Sequence, residues 1–174
     1  LAAAARAGGA RHVLVGGDVY DQPNLSDLVL REPMARMNAC ADLAWHIIPG
    51  NHDPAIAGGV WERLSRTGLP PNVRLHVSAQ PVELAGDCWL LPAPLLTKAT
   101  ARDPTEWMDQ AATPAGVVRI GLAHGSAHGF GSERSASVAI SSTRARSAGL
   151  AYLALGDWHG TGQVGERMWY SGTP

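Results

Sequence analysis

Residues 45–54 read WHIIPGNHDP, an apolar run followed by a tight turn and three polar side chains. The apolar run predicts a buried strand, and Pro49-Gly50 predicts the turn that ends it. Asn51, His52 and Asp53 would then project together from the strand end. A polar turn that caps the next helix is the simpler interpretation, and it would suffice if this segment stood alone.

Three other segments repeat the pattern of an apolar strand, a small residue and a side chain that can bind metal. In open α/β sheets, ligands bind outside the carboxyl ends of the strands. Four such strand ends therefore fit one polynuclear metal site better than four unrelated turns. The segments are HVLVGGDVYD with Asp18 and Asp21, VVRIGLAHGSAHG with His124 and His128, and AYLALGDWHG with Asp157 and His159.

Taken in order, the motifs GD-x-x-D, GNHD, a His after a strand, and G-D-x-H resemble those of the calcineurin-like metallophosphoesterase superfamily. The closing run YLALGDWHG, followed by WYSGTP, is similar to the DNA repair exonuclease branch, the nuclease subunit of SbcCD-type complexes. The resemblance extends from Asp18 to Pro174, which is nearly the whole chain. Jointly the motifs are specific, although each alone is weak.

The resemblance implies a set of metal ligands at the strand ends. Asp18 would bridge two divalent ions, a role that suits an anionic side chain with two oxygens. Its structural alternative is a helix N-cap. Asn51, His124 and Asp157 would hold one ion, and His159 would hold the other. Oxygen ligands mixed with imidazole favour Mn²⁺, with Fe, Zn and Mg²⁺ as alternatives.

The resemblance also implies catalytic residues that bind no metal. His52 would donate to the phosphate and protonate the leaving oxygen, and the Asp21 carboxylate would accept the second ring N–H of His52. Trp158 has two interpretations, either stacking on a base or packing under its turn. His128 and the arginines Arg134, Arg144 and Arg146 are interpreted as solvated, with substrate or phosphate contact as the alternative.

Two features depart from the family pattern. The family places a first strand with a D-x-H motif before residue 1 and a capping region after residue 174, so the chain is interpreted as truncated at both ends. Asp157 stands where the family usually has His, in G-H-x-H. Asp is still a competent ligand, so we expect metal binding with an altered metal preference.

Composition bounds the class of protein. The chain has 174 residues, 45% hydrophobic and 17% charged, which predicts one globular domain over 1–174. A net charge of −1 gives no electrostatic footprint for strong non-specific DNA binding. Cys40 and Cys88 are expected to be buried free thiols. No signal peptide or membrane span is visible, so the expected compartment is the cytoplasm.

Alternating strands and helices predict an α/β fold, and the resemblance implies a metallophosphoesterase-like sandwich of two mixed β-sheets flanked by helices, without its first strand. The expected function is a metal-dependent DNA phosphodiesterase, an exonuclease or endonuclease that works with an SMC-like ATPase subunit. Two alternatives stay open: a phosphodiesterase or phosphatase of small nucleotides, and an inactive scaffold. A homodimer is also left open.

Overall fold

The computed structural model describes residues 1–22, 24–127 and 138–173. The predictions made for His128 and Arg134 lie outside these ranges. The helices are α1 (Ala2–Ala7), α2 (Asp27–Asn38), α3 (Val60–Thr67) and α4 (Arg144–Ser147), with a 3-10 helix at Glu106–Gln110. The strands are β1 (His12–Val15), β2 (Ala44–Ile47), β3 (Val73–Leu75), β4 (Val82–Ala85), β5 (Cys88–Ala93), β6 (Val118–His124), β7 (Ser126–Ala127), β8 (Ala139–Ile140), β9 (Tyr152–Gly156), β10 (Gly162–Gly165) and β11 (Met168–Tyr170).

These strands form two main sheets and one short pair. The first sheet is parallel throughout, in the order β1-β2-β3. The second is mixed, in the order β10-β11-β9-β6-β5-β4, with antiparallel pairs only at its two edges. Strands β7 and β8 make the short pair. The predicted α/β class, with sheets flanked by helices, is confirmed. The expectation that both sheets are mixed is wrong for the first sheet, whose described strands are all parallel.

Three apolar clusters define the layers. One packs α1, α2 and α3 against the outer face of the first sheet, where Trp45 and Ile47 are buried. A second covers the outer face of the second sheet with the 3-10 helix and α4. The third lies between the sheets, with Leu14 and Ile48 on one side and Leu90 and Leu122 on the other. The order is therefore helices, sheet, sheet, helices.

Helix α2 contradicts one of the two outcomes that its proline predicts. Pro33 predicts a kink in the segment or its division into two short helices. The division is wrong, because a single helix runs through Pro33, with Leu30 and Met34 buried. A proline inside a helix loses one main-chain hydrogen bond, here to the carbonyl of Val29. Val29 is exposed, so water can satisfy that carbonyl and the cost is tolerable.

Arg144 corrects a second expectation, because it is buried rather than solvated. Its guanidinium donates to Asp103 at 3.0 Å, to Asp109 and to the hydroxyl of Thr105. Asp103 in turn accepts the Thr105 N–H at 2.8 Å, just before the 3-10 helix. Pairing with two carboxylates and a hydroxyl offsets the cost of burying the cation, so Arg144 joins α4 to the 3-10 helix and has a structural role.

Two further expectations concern cysteines and membranes. Cys40 and Cys88 are free but only partly buried. Among the described residues the longest helix is α2, with 12 residues, whereas a membrane-crossing helix needs about 20 apolar residues.

A row of three histidines crosses the first sheet. Side chains alternate along a strand, so His46 faces the second sheet while Trp45 and Ile47 face the helices. His46 Nε2 lies 3.0 Å from His12 Nδ1, and His46 Nδ1 lies 3.0 Å from His76 Nε2. Each contact needs one donor and one acceptor, which neutral imidazoles of the same tautomer provide along the whole row.

Burial keeps His46 and His76 uncharged. It lowers the pKa of His46 to about 3, with the neighbouring charges of His76, His12 and Arg74 adding to the effect. Burial also lowers the pKa of His76 to about 4, aided by Arg74. In the unfolded chain, His46 and His76 have the ordinary histidine pKa of about 6.5. As the pH falls, the unfolded state therefore binds protons that the folded state does not bind.

We therefore expect stability to fall from pH 6.5 towards pH 4, by on the order of 3 kcal/mol. The variant His46→Gln should flatten this slope because Gln does not titrate. The exposed His159→Gln is the matched control and should keep the full slope. Urea unfolding at a series of pH values measures how the free energy of unfolding depends on pH. Identical slopes in wild type and His46→Gln would show that the row does not control acid stability.

Candidate active site

The carboxyl ends of four strands meet at one edge of the sandwich. Strand β1 leads into Gly16, β2 leads into Gly50, β6 ends at His124, and β9 ends at Gly156. In the second sheet His124 pairs directly with Gly156. The two sheets touch here, because a methyl group at Gly156 would overlap the Gly16 carbonyl. Glycine is thus required where the strand ends cross.

Gly17 keeps the centre of the site open. A methyl group there would lie 2.6 Å from His124 Nδ1 and 2.7 Å from Gly50 Cα. Its φ of +91° is also in the region that favours glycine. The glycines of Gly16-Gly17 and Pro49-Gly50 therefore allow Asp18, Asn51 and His124 to approach one another.

His124 is the central side chain of the site, and it is 1% exposed. Its Nδ1 lies 2.6 Å from the Gly16 carbonyl oxygen, so Nδ1 carries a hydrogen and donates it. Its Nε2 faces three oxygens: Asn51 Oδ1 at 3.2 Å, Asp18 Oδ2 at 3.3 Å and Asp157 Oδ1 at 3.8 Å. In a neutral imidazole this nitrogen would present a lone pair to three acceptors, which is repulsive.

A proton or a cation between Nε2 and these oxygens would remove this repulsion. The electrostatics of the site favour the proton. Burial alone would lower the pKa of His124, but its hydrogen bond to Asp18 and the Asp18 charge raise it above its ordinary value. Burial would likewise raise the pKa of Asp18, yet the contact with His124 lowers it.

Asp157 completes this group with a second carboxylate. Burial raises its pKa, the Asp18 charge adds to the rise, and the charges of His124 and His159 partly offset it. Both acids also have unusual backbones, with φ of +54° at Asp18 and +107° at Asp157. Such conformations cost energy and cluster at functional sites. The fold thus holds two carboxylates at one point despite backbone strain.

The structure brings together four of the five predicted metal ligands: Asp18, Asn51, His124 and Asp157. The fifth, His159, is exposed and lies two residues after Asp157. Two divalent ions, with His159 on the second, remain a prediction.

The group has the donor chemistry for one divalent ion, which would bind two carboxylates, an amide oxygen and an imidazole nitrogen. Ligands at about 2.1 Å from one ion lie about 3.0–3.5 Å apart, and two of the three Nε2 to oxygen distances fall in this range. Among the described residues no three His, Cys, Asp or Glu side chains form a group that could hold a metal ion. Asp18, His124 and Asp157 alone are therefore not such a group, and the predicted ligand set also includes the Asn51 amide oxygen.

His52 is placed differently from the sequence-based hypothesis. Its Nδ1 donates to the main-chain carbonyl of Asp21 at 3.0 Å, so the expected dyad with the Asp21 carboxylate is wrong in its acceptor atom. A carbonyl fixes the tautomer as well as a carboxylate does, and it leaves Nε2 of the exposed ring directed elsewhere. The His52 main-chain N–H also donates to Asp18 Oδ1 at 2.9 Å.

Asp53 has a role that the sequence analysis missed. Its carboxylate is 0% exposed and accepts three main-chain N–H groups, from Gly50 at 2.6 Å, Asp18 at 3.2 Å and Tyr20 at 3.2 Å. Burial raises its pKa to about 6, and the N–H donors partly counter this. Asp53 therefore fixes the loop after β1 against the loop after β2. Its position in the GNHD segment was the available signal.

Comparisons with known proteins bear on the fold alone. No family model and no curated protein matches this chain. It is similar to the crystal structure of TT1561 of Thermus thermophilus, with a TM-score of 0.59, 13% identity, and coverage of 97% of this chain and 79% of that one. A second crystal structure matches with a TM-score of 0.58, 11% identity, and coverage of 97% and 81%.

Replacing Asp53 should destabilise the protein, because buried N–H donors without an acceptor cost about 1–3 kcal/mol each. We expect Asp53→Asn to lose about 2 kcal/mol, since its NH₂ group faces main-chain donors, and Asp53→Ala to lose about 3 kcal/mol or more. The exposed turn variant Asp87→Asn is the control. Urea unfolding measures the free energy of unfolding of each variant. A decrease below about 0.5 kcal/mol in both Asp53 variants would contradict this role.

Proposed function

We propose that this protein is a metal-dependent phosphoesterase that hydrolyses phosphodiesters. The observation that carries the proposal is the environment of His124 Nε2, which faces two carboxylates and an amide oxygen. A divalent cation at the centre of this group would be attracted by its carboxylates and would accept the Nε2 lone pair. Divalent cations, when bound, supply charge that stabilises the transition state of phosphoester hydrolysis.

Asp18, Asn51, His124 and Asp157 would hold the cation, and Mn²⁺ suits their mixture of oxygen and nitrogen donors. The hydrogen bond from His124 Nδ1 to Gly16 orients the ring and directs Nε2 inward. The Asp53 carboxylate fixes the two loops that carry Asp18 and Asn51. These contacts support the proposal that the ligands would be held in position before a cation binds.

His52 is the proton donor in this proposal. It is exposed next to Asp18, and its Nδ1 hydrogen bond to the Asp21 carbonyl leaves Nε2 to carry the transferable proton. A protonated Nε2 can donate to a phosphoryl oxygen and then to the departing alkoxide. The buried His124 cannot do this, because both of its nitrogens are engaged within the site.

The proposed substrate is DNA, in agreement with the motif resemblance described above, and a chain of net charge −1 would take its DNA affinity from an ATPase partner. Small nucleotides are the second candidate, and the low charge favours them when the chain acts alone. Hydrolysis of a labelled duplex, compared with bis(p-nitrophenyl) phosphate, separates the two.

The cation site predicts a specific binding result. Calorimetry should detect Mn²⁺ binding, and Asp18→Asn and Asn51→Ala should each weaken it by at least about tenfold. Mutating even a residue that only hydrogen-bonds to a metal ligand lowers metal affinity by about 10- to 100-fold. Asp87→Asn should bind as wild type does. Hydrolysis of bis(p-nitrophenyl) phosphate should require Mn²⁺ and stop with a chelator. Equal affinity in wild type and Asp18→Asn would place the cation elsewhere.

The corrected role of Asp21 gives a second test. We expect His52→Asn to lower kcat by about 10²- to 10⁴-fold with little change in Mn²⁺ affinity, because a proton donor is lost and no ligand is removed. Asp21→Asn should change kcat by less than about twofold, since the acceptor is the main-chain carbonyl. If Asp21→Asn is as slow as His52→Asn, the carboxylate orients the ring after all.

A further inference from the structure

Tyr170 lies on β11, buried in the apolar cluster on the outer face of the second sheet. The sheet order β11-β9-β6 places a whole strand between Tyr170 and the strand that ends at His124. The Tyr170 hydroxyl nevertheless reaches the chain just after His124. It donates to the Gly125 carbonyl at 2.7 Å and accepts the Ala127 N–H at 2.9 Å. One buried hydroxyl thus binds two main-chain groups of the segment that follows a predicted metal ligand.

Gly125 is also bound on its other side. Its N–H donates to the Gly156 carbonyl at 3.1 Å, and Gly156 directly precedes Asp157. Gly125 therefore joins the ends of the two strands that carry His124 and Asp157. Because the Tyr170 hydroxyl binds the carbonyl of the same residue, it stabilises this junction from outside the group of predicted ligands.

His124 is in this way fixed from both faces of the second sheet. Between the sheets its Nδ1 donates to the Gly16 carbonyl, which directs Nε2 towards the acids. On the outer face the Tyr170 hydroxyl binds Gly125 and Ala127. The first contact orients the imidazole ring, and the second holds the main chain from which the ring projects.

The surroundings of Tyr170 keep its hydroxyl protonated. Burial raises the pKa of Tyr170 to about 12, the Ala127 N–H opposes this rise, and the charge of Asp157 adds to it. The hydroxyl therefore keeps the hydrogen that it donates to the Gly125 carbonyl at neutral pH.

We propose that Tyr170 is a positioning residue of the candidate site, whose hydroxyl holds the ends of β6 and β9 so that His124 and Asp157 can bind the same cation. This inference rests on the proposed function and extends it to a residue that need touch neither cation nor substrate. Removing a group that orients metal ligands lowers metal affinity by about 10- to 100-fold. Tyr170 acts through the main chain, so the lower end of this range is expected.

The variant Tyr170→Phe tests the proposal, because it removes the hydroxyl and keeps the ring in the core. Calorimetry should show that it binds Mn²⁺ about tenfold more weakly than wild type does. The rise in the free energy of unfolding on adding Mn²⁺ should also be smaller than in wild type. Each protein is compared with its own metal-free form, so a general loss of stability does not produce this second result.

Two variants serve as matched controls. Tyr152→Phe removes a tyrosine hydroxyl that is 38% exposed and belongs to neither contact. Leu91→Val removes one methylene group from the same apolar cluster as Tyr170 and loosens it without affecting the hydroxyl. Both controls should bind Mn²⁺ as wild type does, and circular dichroism checks that all three variants are folded.

The results that contradict the inference differ from those that contradict the proposed function. If Tyr170→Phe binds Mn²⁺ as tightly as wild type, or if Leu91→Val weakens binding equally, the hydroxyl has no specific positioning role and the phosphoesterase proposal stands. If wild type itself binds no Mn²⁺, both are wrong.

Discussion

The hydrogen bond from His124 Nδ1 to the Gly16 carbonyl, at 2.6 Å, is the contact on which this site depends. It joins the end of β6 in the second sheet to the end of β1 in the first, at the point where the sheets touch. It also decides which ring nitrogen faces the acids, since a carbonyl can only accept. One contact therefore sets both the approach of the sheets and the chemistry of the centre.

Around that contact, the molecule concentrates arrangements that are unfavourable by themselves. Asp18 and Asp157 have positive φ, Asp53 is a fully buried carboxylate, and His124 Nε2 faces only acceptors. The two cores on the outer faces of the sheets and the cluster between them supply the stability that holds these groups in place. Backbone strain that the surrounding packing holds in place is common at functional sites.

Sequence reasoning predicted the α/β class and the elements that position the site, because apolar runs followed by glycine and a polar residue mark strand ends directly. It could not predict that His52 donates to the main-chain carbonyl of Asp21 and not to its carboxylate, because every residue type has a main-chain carbonyl. The His12, His46 and His76 row depends on strand register. The burial of Arg144 depends on how α4 meets the 3-10 helix.

The most direct measurement of the central claim is anomalous diffraction from crystals of the protein soaked in Mn²⁺ above pH 7. We expect an anomalous peak within about 2.3 Å of His124 Nε2, with Asp18, Asn51 and Asp157 oxygens around it. A site without a peak, with Nε2 still hydrogen-bonded directly to Asp18, would mean that a proton rather than a metal satisfies this group. That result would contradict the metal-dependent function.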